Sequence, residues 1–328
     1  MIVPRFWAES RAHHPRDKAR GQVTVRRFGW SDTSQEEAEE MARRRAAEAL
    51  AAALAGSKGV LRREPKIPYN GAEGVPIREE VIARHGDHVI TRNSYGAQCL
   101  NTPDVAFADI DFEAPPRLAR ILVHAGLLMI VAALVAAWLR SGLAVFISAF
   151  LVLVLAVPFA GLTRKLGLAV GGGPLKSAMA RVHHFLQRNP DWKLRVYRTP
   201  AGLRVLVLHQ TFAAGSEAIT GFFGALGVDP LYAKMCRNQQ CFRARLTPKP
   251  WRIGLSHTLR PRPGVWPIRE EYLAKRQAWV HEYERRSSSY AACEFLEELG
   301  NGVTHPRVAA VVALHDSVSQ ALSGRQIA

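Results

Sequence analysis

Lysine, cysteine and acid are all scarce in this 328-residue chain. The four cysteines, Cys99, Cys236, Cys241 and Cys293, stand far apart except for one pair, which excludes a disulfide framework. The first eighteen residues carry charges where a cleavable leader needs an apolar core, so no secretory signal is read there. Reduced thiols and a cytoplasmic setting for the polar parts are therefore expected. Acidic residues number 28 against 44 basic ones, mostly arginine. Internal repeats and long disordered tracts are absent as well. Mean hydropathy is −0.06, too low for a multi-spanning transporter.

What is abundant is positive charge and, in one place, apolar sequence. The net charge of +16 and the pI of about 10.3 point to anionic partners: nucleic acid, nucleotides or acidic lipid headgroups. Arginine-rich composition with a positive-inside bias accounts for the same numbers, and both readings stay open. Residues 121–162 hold two apolar runs of the length a bilayer crossing needs, joined by Arg140-Ser141-Gly142. Arg117, Arg120, Arg164 and Lys165 flank the outer ends. The positive-inside rule then predicts a two-pass membrane protein of a bacterial inner membrane, with both termini cytoplasmic and membrane lipids as partners. Trp138 would anchor the outer interface, and His124 would lie near the inner one. The expected fold class is an α+β domain, a palm-like sheet with helices, interrupted by a two-helix transmembrane hairpin. Residues 1–116 precede the hairpin, 117–165 form it, with spans at about 121–139 and 143–162, and 166–328 fold with the first part.

Around the hairpin the sequence alternates short strands and helices. A strand is expected at 23–28 and a helix over 32–55, opened by the N-cap types of residues 31–34 and closed near Gly56. Turn-rich sequence at 57–86 leads to strands at 88–92, 96–100 and 105–112. A helix over 175–188 precedes a hairpin of strands 192–198 and 203–209, turned at Thr199-Pro200-Ala201-Gly202. Helical segments follow at 216–226 and 230–235, then strands at 241–246 and 251–255. Residues 269–299 read as helix with a break at the three serines 287–289, and 305–322 as a last helix.

The sharpest polar feature is Asp109 and Asp111 on the strand VAFADIDF. Alternation places both on one face, with Ile110 and Phe107 off it. Two carboxylates about 7 Å apart repel, and a divalent cation, Mg²⁺ or Mn²⁺, relieves the repulsion. A solvated acidic edge is the alternative. Asp229, before Pro230, is either a third carboxylate or a helix N-cap. In FRARLTPKPWR, Arg243 and Arg245 share a strand face and Lys249 and Arg252 lie close beyond, suited to clamping phosphates. Residues 237–286 hold twelve Lys/Arg against four Asp/Glu, with aromatics interleaved for base stacking. A basic surface lying on lipid headgroups explains the same charge. Cys236 and Cys241 with His257 are a poor zinc set, the His183-His184 pair points to two helix faces, and His315-Asp316 reads as helix surface.

Three of these pieces, in this order, resemble the archaeo-eukaryotic primase and primase-polymerase superfamily. VAFADIDF resembles its first motif, an apolar strand with two aspartates. YRTPAGLRVLVLH resembles its second-motif region, with Arg204 at the family's histidine position. Asp229 followed by FRARLTPKPWR resembles its third carboxylate and phosphate-binding residues. The resemblance covers roughly residues 88–255 without the apolar runs. It implies Asp109, Asp111 and Asp229 as catalytic metal ligands, and Arg204 and Lys249 facing nucleotide phosphates, in a nucleotide- or nucleic-acid-binding protein, possible chemistry being nucleotidyl transfer. A non-enzymatic scaffold, or a basic module contacting lipid, nucleic acid or a protein, is the competing expectation.

Overall fold

The computed structural model describes residues 3–16, 21–57, 59–64, 75–112, 118–139, 142–170, 172–260 and 266–328. It is an α+β structure with two four-stranded antiparallel sheets and a two-stranded ribbon. The ribbon pairs β1 (Phe6–His14) with β2 (Val23–Ser31). Helix α1 (Gln35–Leu54) begins at Ser34, whose hydroxyl accepts from the Glu37 amide at 3.2 Å. Its alanine stripe, Ala38, Ala42, Ala46 and Ala49, is buried. Small residues let this helix lie directly on β2. A Cβ at Gly29 would come within 2.0 Å of the Ala38 carbonyl oxygen.

The first sheet is β3 (Glu80–His85), β4 (His88–Arg92), β5 (Gln98–Thr102) and, much later in the chain, β9 (Phe242–Arg245). The second contains β6 (Phe107–Asp111), β7 (Leu194–Thr199), β8 (Gly202–Val207) and β10 (Glu294–Leu299), in the order β10-β7-β8-β6. Strands from before and after the apolar stretch thus pair in both sheets. One face of the second sheet, with Ile110 opposite Leu203 and Val196 opposite Val205, is buried in the main apolar core. That core also holds Val182 and Phe185 of α4 (Gly173–Arg188) and Phe222 and Phe223 of α5 (Glu217–Leu226). The opposite face carries Asp109, Arg204 and Tyr197 side by side. Phe107 shares that face, and its ring lies 5.5 Å from His315. The expectation that Phe107 lies off the aspartates' face is corrected by strand parity itself.

Residues 250–253 and 294–299 differ from expectation, the first for a local reason and the second for a tertiary one. Residues 250–253 form a single 3₁₀ turn, because Pro248 and Pro250 lack the amide a strand ladder needs and Gly254 closes the turn at φ +77°. Residues 273–287 form α7 (Leu273–Ser287), but 294–299 are strand β10. Glu and Leu favour helix there, and pairing with β7 overrides that preference. Arg195 on β7 reaches Glu298 at 2.7 Å and lies 3.9 Å over the Phe295 ring. Helices α6 (Pro230–Gln239) and α8 (Pro306–Ser319) complete the chain.

The apolar stretch forms α2 (Leu118–Leu139) and α3 (Gly142–Val170), which pack on one another. Among the described residues no helix is long and apolar enough to cross a membrane. The transmembrane hairpin, the two-pass topology and the inner-membrane placement are corrected accordingly. An apolar run dictates helix formation and some burial, and neither requires a bilayer. Here Ala156 and Ala160 are buried, and His124 Nε2 stands 3.0 Å from the Thr163 hydroxyl. Leu122, Leu127, Ile130, Leu134 and Trp138 remain exposed on α2. Arg117 and Arg140, two of the basic residues that set the expected orientation, lie outside the described residues, as does Ser141.

Candidate functional site

The β6–β8 register builds the site. It sets Asp109 opposite Arg204 and Asp111 opposite Gly202. Gly202 is required there, since a Cβ would meet the Ile110 carbonyl oxygen at 1.9 Å. Arg204 Nε donates to Asp109 Oδ1 at 2.9 Å, and Nη2 donates to Oδ2 at 3.2 Å. The arginine side chain is 2% exposed and the aspartate 37%. Arg204 Nη1 also donates to the Arg245 carbonyl at 2.7 Å, which fastens β8 to β9. Tyr232 of α6 does the same between sheets, its hydroxyl 3.0 Å from both the Phe107 and Arg243 carbonyls.

A cavity of about 280 Å³ opens over this junction, lined by Asp109, Asp111, Asp229, Arg204, Arg245 and Lys249 among others. Of the two readings of Asp229, the helix N-cap is the one observed. Its Oδ1 caps α6 by accepting from the Leu231 amide at 3.0 Å, and its side chain lines the cavity. Desolvation, then the charges of Asp109 and Asp229, raise the Asp111 carboxyl above the ordinary carboxylate range. Lys249 is shifted the other way. Burial, then repulsion from Arg245 and Arg252, lower it below an ordinary lysine. The cavity therefore holds an acidic wall and a basic wall, each strained by its own like charges.

The basic residues divide into committed and uncommitted. Arg243 is committed to an ion pair: its Nη2 lies 2.8 and 2.7 Å from the two oxygens of buried Glu79, which also accepts from Thr91 at 2.6 Å. Arg245 and Arg252 each bury an Nη1 that has no hydrogen-bond partner among the described residues. Lys249 Nζ sits 5.4 Å from the Trp251 ring, which meets Tyr95 edge-on at 5.3 Å. Tyr95 lines the cavity too.

Asp109, Asp111 and Asp229 share the cavity, yet among the described residues no group of three His, Cys, Asp or Glu could hold a metal ion by itself. The site offers two strand carboxylates on one face, one of them bridged to a guanidinium. Cys236 and Cys241 are buried free thiols, both pushed up by burial, Cys241 to about 11, which suits apolar packing rather than ligation. His209 packs against Trp192 and Phe212, away from the cavity lining.

Sequence reasoning missed the layer behind Arg204. His315 and Asp316, read as helix surface, are buried against the sheet. Arg204 Nη1 lies 3.3 Å from His315 Nε2, and His315 Nδ1 lies 3.0 Å from Asp316 Oδ1. Asp316 also accepts from Tyr197 and from Arg195, at 2.6 Å each. The available signal was strand parity: Arg195 and Tyr197 alternate with Leu194 and Val196, and a polar face against a core needs polar partners. No family model, curated protein or solved structure matches this chain.

Proposed function

We propose that the cavity binds the phosphates of a nucleotide together with a divalent cation, in the manner the primase-like motif order implies. The observation that carries the reading is the convergence on one cavity of Asp109, Asp111 and Asp229 with Lys249, Arg245 and Arg204. These residues lie up to 140 positions apart, and only the motif resemblance linked them in advance. Magnesium or manganese takes one or two protein carboxylates and completes its shell with phosphate oxygens and water. Asp109 and Asp111 would supply those carboxylates, Asp109 while also accepting from Arg204. Such an ion would supply charge neutralisation at the transferring phosphoryl group. Lys249 and Arg245, which line the cavity, would face the remaining phosphate oxygens, with Arg252 adding positive charge beside Lys249. Tyr95 and Trp251 offer aromatic surface beside the phosphates for a base.

Arg204 on both oxygens of Asp109 favours a second reading, in which the site binds nucleotide without turning it over. The test is titration of a fluorescent nucleoside triphosphate with and without Mn²⁺, alongside an assay of nucleotide incorporation on a primed template. Manganese-dependent binding lost in Lys249→Ala supports the site, and incorporation separates a working enzyme from a binding module. Binding that is indifferent to Mn²⁺ and to Lys249→Ala removes the proposal.

A further inference from the structure

Arg204 is the side chain on which the acidic wall depends, and its environment specifies every proton placed around it. It is almost completely buried, so its N–H groups need partners within the protein. Nε and Nη2 are used on Asp109, and Nη1 on the Arg245 carbonyl and His315 Nε2. A guanidinium has five donors and no acceptor. His315 Nε2 must therefore present a lone pair to Arg204, and the ring proton must sit on Nδ1.

The residues beyond His315 explain how that tautomer is selected. Nδ1 faces Asp316 Oδ1, which can only accept while ionised. Burial alone would raise the Asp316 carboxyl. Hydrogen bonds from His315 and then Tyr197 lead the opposing pulls, which outweigh burial and hold it below its ordinary value. Arg195 in turn donates Nε to the Tyr197 hydroxyl at 2.8 Å and Nη1 to Glu298 at 2.7 Å. The other groups around the imidazole are Cys293 Sγ at 3.9 Å and the Tyr197 and Phe107 rings. Burial favours the neutral ring, while Asp316 and Cys293 favour the charged one and leave a net upward pull. Contact with Arg204 is compatible only with the neutral form.

We propose that His315 and Asp316 are positioning residues for the acidic wall: Asp316 fixes the Nδ1–H tautomer of His315, whose Nε2 orients Arg204, which holds Asp109. The relay runs from the outer strand β10 to the cavity without touching a ligand. It rests on the nucleotide reading only in giving Asp109 a task, and the arrangement of protons stands apart from it.

The relay makes an asymmetric prediction for Asp316→Asn. The amide has one acceptor, and Arg195 can only donate, so the amide oxygen turns to Arg195. The amide nitrogen then faces His315 Nδ1 and shifts the ring proton to Nε2, pointing a donor at Arg204. The test is ¹⁵N NMR of the full chain with labelled histidine and arginine at pH 8, His315 and Arg204 being assigned with His315→Gln and Arg204→Lys. The expected result is an Nδ1–H tautomer for His315 and a solvent-protected Arg204 Nε–H. Asp316→Asn should move the tautomer to Nε2–H and speed Arg204 Nε–H exchange about tenfold or more, the scale of one orphaned buried donor. His315→Gln, which keeps an acceptor near the Nε2 position, should retain the protection that His315→Leu loses. An Nε2–H or charged ring in the unsubstituted protein overturns the proposal, as does equal loss in the Gln and Leu variants. None of these readouts needs a ligand, so they succeed or fail independently of nucleotide binding.

Discussion

Arg204 and Asp109 face one another across the β6–β8 ladder, Nε to Oδ1 at 2.9 Å, one side chain sealed in the core and the other opening on the cavity. A buried cation that reaches the surface through a single carboxylate makes that carboxylate structural as well as functional. Asp109→Ala strands Arg204 without a counter-charge, and removing one partner of a buried pair costs about 3–5 kcal/mol. Urea denaturation should show this loss in Asp109→Ala and a smaller one in Asp109→Asn, which keeps an acceptor. Lys249→Ala is accordingly the cleaner test of binding.

Asp111→Asn should behave in the opposite way. The carboxyl is raised in the folded chain, by desolvation first and by Asp109 and Asp229 next. Its ionisation is therefore easier in the unfolded chain, and it withdraws stability as pH rises through the unfolded value toward the folded one. The amide variant should melt higher than the unsubstituted chain at pH 7, by no more than about 1 kcal/mol given solvent screening. The difference should vanish below about pH 3, where both states are protonated. Melting curves that stay parallel across that range refute the assignment.

Lys249 has a lowered pKa, from burial and then from Arg245 and Arg252. Its charge is lost at lower pH than that of an ordinary lysine. Affinity for a nucleoside triphosphate should therefore fall on the alkaline side sooner than the ligand's own titration explains. Lys249→Arg should flatten that limb, because a guanidinium stays protonated. Identical alkaline limbs in the two proteins would exclude Lys249 as the phosphate contact.

Glu79 holds Arg243 from inside the cavity wall, with a side chain that is 4% exposed. Glu79→Ala should destabilise by about 3–5 kcal/mol, the cost of an uncompensated buried charge. The double variant Glu79→Leu with Arg243→Met should recover most of that loss, as apolar replacements of buried pairs commonly do. Chemical denaturation of the single and double variants reads both effects.

Gly202→Ala inserts a methyl where the Ile110 carbonyl oxygen lies 1.9 Å away. The strands must part beside Asp111, at a cost of about 1–3 kcal/mol or more. Circular dichroism melting should register the loss, whereas an alanine at the unobstructed Gly221 should leave stability within about 1 kcal/mol.

Much of the local structure was legible in the sequence. Ser34 with its following acids set the start of α1, the turn from Thr199 to Gly202 set the β7–β8 hairpin, and alternation in VAFADIDF set both aspartates on one face. These rest on forces acting within a few residues: capping, φ preference and strand parity. The placing of Arg243 and Arg245 on one strand face followed from the same parity, but their different fates did not. Arg243 met Glu79 from 164 residues away, and no local pattern foretells that pairing.

The tertiary structure decided the rest. A helix-favouring stretch at 294–299 became a strand because β7 offered it a partner and a counter-charge. The apolar stretch 121–162 became a helix pair with no described helix fit to cross a membrane, since hydropathy sums composition and does not say which surface meets which. His315 and Asp316 became an interior relay because α8 lies on the polar face of a sheet assembled from three distant stretches of chain. By itself the sequence determined which residues could carry charge and where the chain would turn. Which charges are neutralised, and which remain free in the cavity for a ligand, depended on long-range pairing whose free energy is realised only when the whole chain is folded.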